Sequence, residues 1–226
     1  MIIGLCGFIS AGKDTVADYL VDSYDFRRES FANTLKDAVA NVFGWDRILL
    51  EGRTKEARDW REQVDTWWAE RLSIPDLTPR WVLQQWGTEV CRKGFHDDIW
   101  IASVENKLRK SADDIVISDC RFPNEIQAIK RAGGKVVWVQ RGIMPHWYDI
   151  ALQANRGVDS AIWWLINEKI HASETAWVGT KFDYVLDNNR TIAHLYEQVK
   201  NLVPDLPRPM VIENDKLLAG SSSISF

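Results

Sequence analysis

The chain has few of the residues that build disulfide frameworks and zinc sites. Its three cysteines, Cys6, Cys91 and Cys120, are odd in number and far apart, and its four histidines, His96, His146, His171 and His194, are scattered. No CxxC, HExxH or GxSxG pattern occurs. This argues against a disulfide scaffold, a zinc site and a serine-hydrolase elbow, and leaves the cysteines as reduced packing residues. Long apolar runs are missing too. No stretch approaches the length of a membrane span, and the opening "MIIGLCGFI" lacks a basic leader. No membrane partner is therefore expected, and the site of action is read as cytoplasmic. Nor is there an excess of positive charge. The 28 Lys+Arg stand against 32 Asp+Glu, a net charge of -4, so no surface coats nucleic acid and any basic site must be local.

What is present suffices for one substantial α/β core: 226 residues, 46% of them hydrophobic, with 12 tryptophans that read first as core and interface residues. The informative stretch is "GFISAGKDT", Gly7 to Thr15. It follows the apolar "MIIGLC" and precedes "VADYL", whose Val16, Ala17 and Leu20, with Tyr24 beyond, fall on one helical face. Strand, glycine loop and helix in that order are the context of the phosphate-binding P-loop, with Gly7, Gly12 and Lys13 in register and Ser10 and Ala11 inside the loop. Its backbone N–H groups and helix N-terminus would face phosphate oxygens, and Lys13 adds a mobile charge. Asp14 stands where a hydroxyl normally reaches Mg²⁺. Either Asp14 helps hold Mg²⁺ while Thr15 supplies the hydroxyl, or Asp14 caps the helix or pairs with Lys13.

Further along, "DFRRESFA" suits a short strand. "NTLKDAVANVFG" suits a helix with Asn33 or Thr34 near its cap, Leu35, Val39, Val42 and Phe43 inward, and Gly44 at its end. Residues 46–76, rich in charge and tryptophan, read as an exposed helical insertion over the core. Thr78 and Pro79 open the helix "TPRWVLQQWGTEVCRK", and another helix follows from about Asp98 to Leu108. "IVIS" is a strand ending at Asp119, "PNEIQAIKRAGG" a helix, and "KVVWVQ" a strand delivering Arg141. Residues 142–181 have little strand character and suit a lid. "FDYVLDN" and "TIAHLYEQVKNLV" supply a last strand and helix, and the tail 205–226 is expected to be poorly ordered. The alternation implies one α/β domain over 1–204 with a mainly parallel sheet, whose ligands sit beyond the strand carboxyl ends.

The P-loop, Asp119, Arg121 and Arg141 all map to that edge. Asp119 reads as a Walker-B-type acid or as a simple strand-end cap. Arg121 suits a phosphoryl group or an ion pair with Glu125, and Arg141 suits charge neutralisation or plain exposure. Lys36 and Arg92 face a second substrate or water. No obvious general base is present, which suits an acceptor that is itself an ionised phosphate.

"GFISAGKDTVADYL", "FANTLKDAV", "LQQWGTEVCRKGFHDDIWI", "ISDCRFPNEIQAIKRAGGKVVWVQR" and "HASE" together resemble bacteriophage deoxynucleoside monophosphate kinases over most of residues 1–200. The family pattern includes GKDT in place of GK[ST]. The resemblance implies an α/β P-loop nucleoside-monophosphate-kinase fold, a three-layer sandwich, and transfer of the ATP γ-phosphate to a deoxynucleoside monophosphate with Mg²⁺. It assigns Gly7, Ser10, Ala11, Gly12, Lys13, Asp14 and Thr15 to the ATP and metal loop, with Asp119 as a further metal candidate. Lys36, Thr88 and Arg92 border the monophosphate pocket, Arg121 belongs to a D-x-R segment, and Arg141 precedes the lid. Glu174 is a lid-region candidate and Asn188 a candidate near the adenine. Trp86 or Trp100 either stacks on the acceptor base or packs in the core. A homodimer is an assembly that the resemblance allows. Other P-loop kinases, such as one resembling phosphomevalonate kinase, and a nucleotide-driven switch share the phosphate site.

Overall fold

The computed structural model describes residues 1–203, so the predicted tail 205–226 lies outside the described residues. Strands β1 (Ile2–Cys6), β2 (Arg27–Glu29), β3 (Ile115–Ile117), β4 (Lys135–Gln140) and β5 (Tyr184–Asp187) form one all-parallel sheet in the order β2-β3-β1-β4-β5. The central strand β1 is buried along its whole length, as its continuous apolar run requires of a strand covered on both faces. Side chains alternate between the faces. Ile3 and Leu5 of β1, with Val137 and Val139 of β4, join Val16, Ala17 and Leu20 of α1 (Lys13–Tyr24) and Leu195 and Val199 of α12 (Ile192–Leu202). Ile2, Cys6 and Val136 point the other way, into a cluster with Ile101 and Val104 of α7 (Ile99–Lys110) and Ile126 and Ile129 of α8 (Pro123–Arg131). Helices thus cover both faces, the three-layer α/β arrangement that the alternation of elements implies.

The chain between β2 and β3 is helical: α2 (Asn33–Phe43), α3 (Arg47–Glu51), α4 (Lys55–Arg61), α5 (Thr66–Leu72), α6 (Pro79–Gln84) and its π-helical continuation Gln85–Lys93, then α7. Thr78 caps α6 by accepting from Trp81 N at 3.1 Å, with Pro79 in the first turn, as read from the sequence. Residues 46–76 pack on a separate hydrophobic cluster, to which they give Leu50 and Ala69 and the flanking chain gives Val39, Phe43, Trp45, Leu77 and Val82. Two of its tryptophans satisfy their polar ends: Trp45 Nε1 donates to Asp65 at 2.7 Å and Trp68 Nε1 to the Phe43 carbonyl at 3.0 Å. One inward assignment on α2 is corrected. Val42 is 51% exposed, because Val39 and Phe43 already fill the buried stripe.

Residues 142–181 carry α9 (Tyr148–Ala154), α10 (Asp159–Asn167) and α11 (Ala172–Thr175). Trp147, Ala151, Leu165, Trp177 and Val178 from this stretch belong to the main core. Its base is therefore anchored to the sheet, while Trp163 and Ile166 of α10 face outward.

Candidate active site

All five strands run the same way, so their carboxyl ends open on one edge. The Gly7–Thr15 loop leaves β1 there. Gly7 lies at φ +148°, and a Cβ on it would stand 2.4 Å from the Val139 carbonyl oxygen of the adjoining strand. Gly12, at φ +102°, caps α1 from the left-handed region, and a Cβ on it would meet Asn188 Nδ2 at 2.3 Å. Both positions demand glycine for backbone and packing reasons alike. Asn188, just past β5, donates from Nδ2 to the Ala11 carbonyl at 2.8 Å and so braces the loop itself. Arg141, following β4, reaches the Ser10 carbonyl at 3.4 Å.

Lys13 folds back over the loop, donating from Nζ to the Gly7 and Phe8 carbonyls at 2.8 Å each. Burial, followed by the nearby Arg121 guanidinium, holds its ammonium below the ordinary 10.5. Lys13 therefore does not pair with Asp14. Asp14, in the first turn of α1, makes its ion pair with Arg28 of β2. Sequence reasoning missed Arg28. Its signal was a basic residue near the end of a strand that runs to the ligand edge, the same logic that singled out Arg141.

Asp119, two residues past β3, turns toward the β2–α2 junction, where Ser30 Oγ donates to it at 2.7 Å and Phe31 N at 3.4 Å. Burial pushes its carboxyl up from the ordinary 3.8, against these hydrogen bonds and the Lys36 charge, which favour the ionised form. Lys36 itself is paired with Glu51 of α3 at 2.7 Å. Arg121 and Glu174 are brought together although 53 residues apart: Arg121 Nη1 lies 3.3 Å from both Glu174 Oε1 and Ser173 Oγ. The alternative of an Arg121–Glu125 side-chain pair is corrected. Glu125, almost fully buried, instead accepts from the backbone N–H groups of Arg121 (2.7 Å) and Phe122 (3.0 Å) at the start of α8. Desolvation raises its carboxyl to about 7, and the Arg92 charge opposes that rise. Thr88 is exposed and Arg92 half-buried on the π-helical stretch. Trp86 packs edge-on against Phe43 in the insertion cluster, at 5.7 Å between centroids. Trp100 is buried and donates to the Gly87 carbonyl at 3.0 Å. Trp86 keeps part of its surface exposed, whereas Trp100 is almost fully buried.

The donor chemistry fits a hard cation. Asp14 and Thr15 offer a carboxylate and a hydroxyl on adjacent positions of α1. Among the described residues no group of three or more His, Cys, Asp or Glu is placed to hold a metal ion by itself. Mg²⁺ commonly binds in this way, through one or two protein oxygens, with substrate phosphates and water completing its shell.

A parallel sheet with a glycine loop, a loop lysine and two strand-end arginines on its carboxyl edge defines the class of α/β P-loop phosphotransferases. No protein-family model matches the chain. It is 30% identical over 218 residues to a protein of Acanthamoeba polyphaga mimivirus whose assigned name, deoxynucleotide monophosphate kinase, is itself a prediction; the match covers 90% of this chain and 96% of the relative. It is 28% identical over 179 residues to the deoxynucleoside-5'-monophosphate kinase of Escherichia phage T5, covering 58% of this chain and 72% of that protein. Among solved structures, the shikimate kinase of Aquifex aeolicus vf5 is similar over 91% of this chain and 96% of that one, at 16% identity and a TM-score of 0.40. The chain belongs to the deoxynucleotide monophosphate kinase family. No helix among the described residues is long and apolar enough to cross a membrane.

Proposed function

We propose that this protein transfers the γ-phosphoryl group of ATP to a deoxynucleoside 5'-monophosphate, giving ADP and a deoxynucleoside diphosphate for DNA precursor synthesis. The observation that carries the reading is that Lys13, with Arg121 close enough to act on its charge, and Arg141 all lie at the sheet edge that bears the P-loop. Arg121 is held by Glu174 and Ser173, and Arg141 lies against the loop carbonyl of Ser10. In this reading the loop N–H groups and Lys13 cradle the donor phosphates. Asp14 and Thr15 would hold Mg²⁺, which would supply neutralisation of phosphate charge. Asp119, Lys36, Thr88 and Arg92 border the acceptor. Asn188 keeps the loop in shape next to the donor site.

The acceptor phosphate is already ionised near neutral pH, so the residues need to align and neutralise rather than remove a proton. Arg121 is suited to bridge donor and acceptor phosphates, because a planar guanidinium offers several donors in one plane. Closure of 142–181 over the site would exclude water and limit ATP hydrolysis. The test is ADP release with ATP and Mg²⁺ against each deoxynucleoside and ribonucleoside monophosphate, with products separated chromatographically. Formation of a deoxynucleoside diphosphate is expected. Absence of transfer to every monophosphate by folded, ATP-binding protein would refute the reading.

A further inference from the structure

We propose that Arg28 is the resident counter-cation of Asp14, holding the loop acid neutralised so that a divalent cation enters only together with the nucleotide's phosphates. The inference rests on the nucleotide-site reading above. Arg28 is the middle residue of β2, and its side chain is only 20% exposed, whereas the carboxylates it meets, Asp14 and Asp18, are 78% and 61% exposed. Its Nη2 meets Asp14 Oδ1 and also donates to Ser118 Oγ at 2.7 Å, just past β3. Its Nη1 donates to Asp18 Oδ1 at 2.7 Å. Asp14 and Asp18 are four residues apart on α1 and so share one face. One guanidinium thus bridges two acids of the P-loop helix and ties them to the edge of the sheet.

Without that guanidinium, two carboxylates one helical turn apart would attract any divalent cation in solution. With it, the pair is matched by a cationic fork with enough donors to reach all three partners at once. A cation arriving alone gains one carboxylate, already satisfied, and meets a like charge. A cation arriving with a nucleotide brings the phosphate charge that repays displacing or sharing the guanidinium. The same logic answers why this loop carries an acid at all: an anion-binding loop tolerates Asp14 because β2 supplies its counter-charge.

The test is Mn²⁺ binding to the full chain, followed by electron paramagnetic resonance of the free ion, with and without ADP. Wild-type protein is expected to take up Mn²⁺ only when ADP is present. Arg28→Gln is expected to bind Mn²⁺ without nucleotide roughly tenfold more tightly than wild type. Arg28→Lys, which keeps the charge, retains the exclusion, and adding Asp14→Asn to Arg28→Gln abolishes the gain. Circular dichroism confirms that each variant is folded. Equal Mn²⁺ binding by folded Arg28→Gln and wild type, or a gain that survives Asp14→Asn, overturns the proposal. So does wild-type protein that binds Mn²⁺ equally with and without ADP, a result that requires no variant. Because these readouts use ADP alone, failure to phosphorylate any monophosphate would refute the proposed activity without changing them.

Discussion

Replacing Glu125 by Gln removes a titration while keeping an oxygen that can accept from the Arg121 and Phe122 N–H groups. The Glu125 carboxyl is 6% exposed, and desolvation raises it from an ordinary 4.5 to about 7. Below pH 4.5 folded and unfolded chains both carry the proton. Between 4.5 and 7 the folded chain keeps a proton that the unfolded chain releases, so stability falls as pH rises, and above 7 the loss is complete. The gap from 4.5 to about 7, at about 1.4 kcal/mol per pH unit, amounts to about 3 kcal/mol. Urea unfolding of wild type and Glu125→Gln at intervals from about pH 4 to pH 8 isolates this contribution, since the other titrating groups are common to both chains. The variant is expected to match wild type near pH 4 and to exceed it by about 3 kcal/mol near pH 8. Parallel stability curves for the two chains would refute the reasoning and mean that water or local opening already solvates the carboxyl.

Two further predictions concern the site directly. Gly12→Ala places a Cβ 2.3 Å from Asn188 Nδ2 at φ +102°, a strain of about 1–3 kcal/mol, and should displace Asn188 from the Ala11 carbonyl. Calorimetry should show ADP affinity at least roughly tenfold weaker, and unchanged affinity would count against the loop geometry. Arg121→Ala removes a partly exposed ion pair with Glu174, so folding stability should change by only about 0–1 kcal/mol, while phosphoryl transfer should slow by roughly 10²- to 10³-fold. A rate within a few-fold of wild type would remove Arg121 from the transfer step.

Local patterns carried the frame of the molecule. The apolar run, glycine spacing and helical stripe around Gly7–Leu20 identify β1, the loop and α1, and the short apolar runs before Asp119 and Arg141 identify β3 and β4. Partners set by strand order were not legible. β2 lies beside β3 rather than beside β1, and that placement, unreadable from either segment, brings Arg28 to Asp14 and Ser118. Short-range reasoning offered Asp14 a metal, its neighbour Lys13 or a cap on its own helix. In sequence Glu125 reads as a side-chain partner of Arg121 because charges suggest charges, yet its carboxyl group serves the unpaired N–H groups at a helix start. The stretch Gln85–Lys93 reads as ordinary helix, since the shift of its backbone hydrogen bonds to the π pattern leaves no compositional mark.

Phe8 sits inside the glycine loop, but its ring packs against Trp147 at 5.5 Å and Trp177 at 4.7 Å, both from residues 142–181. The loop is therefore not a portable cassette. Grafted onto another parallel sheet with Gly7–Thr15 alone, it would lack the aromatic wall that seats Phe8, and the carbonyls of Gly7 and Phe8 that receive Lys13 would lose their anchor. A designer who wished to transplant this nucleotide loop would need to carry over a surface encoded more than 130 residues downstream.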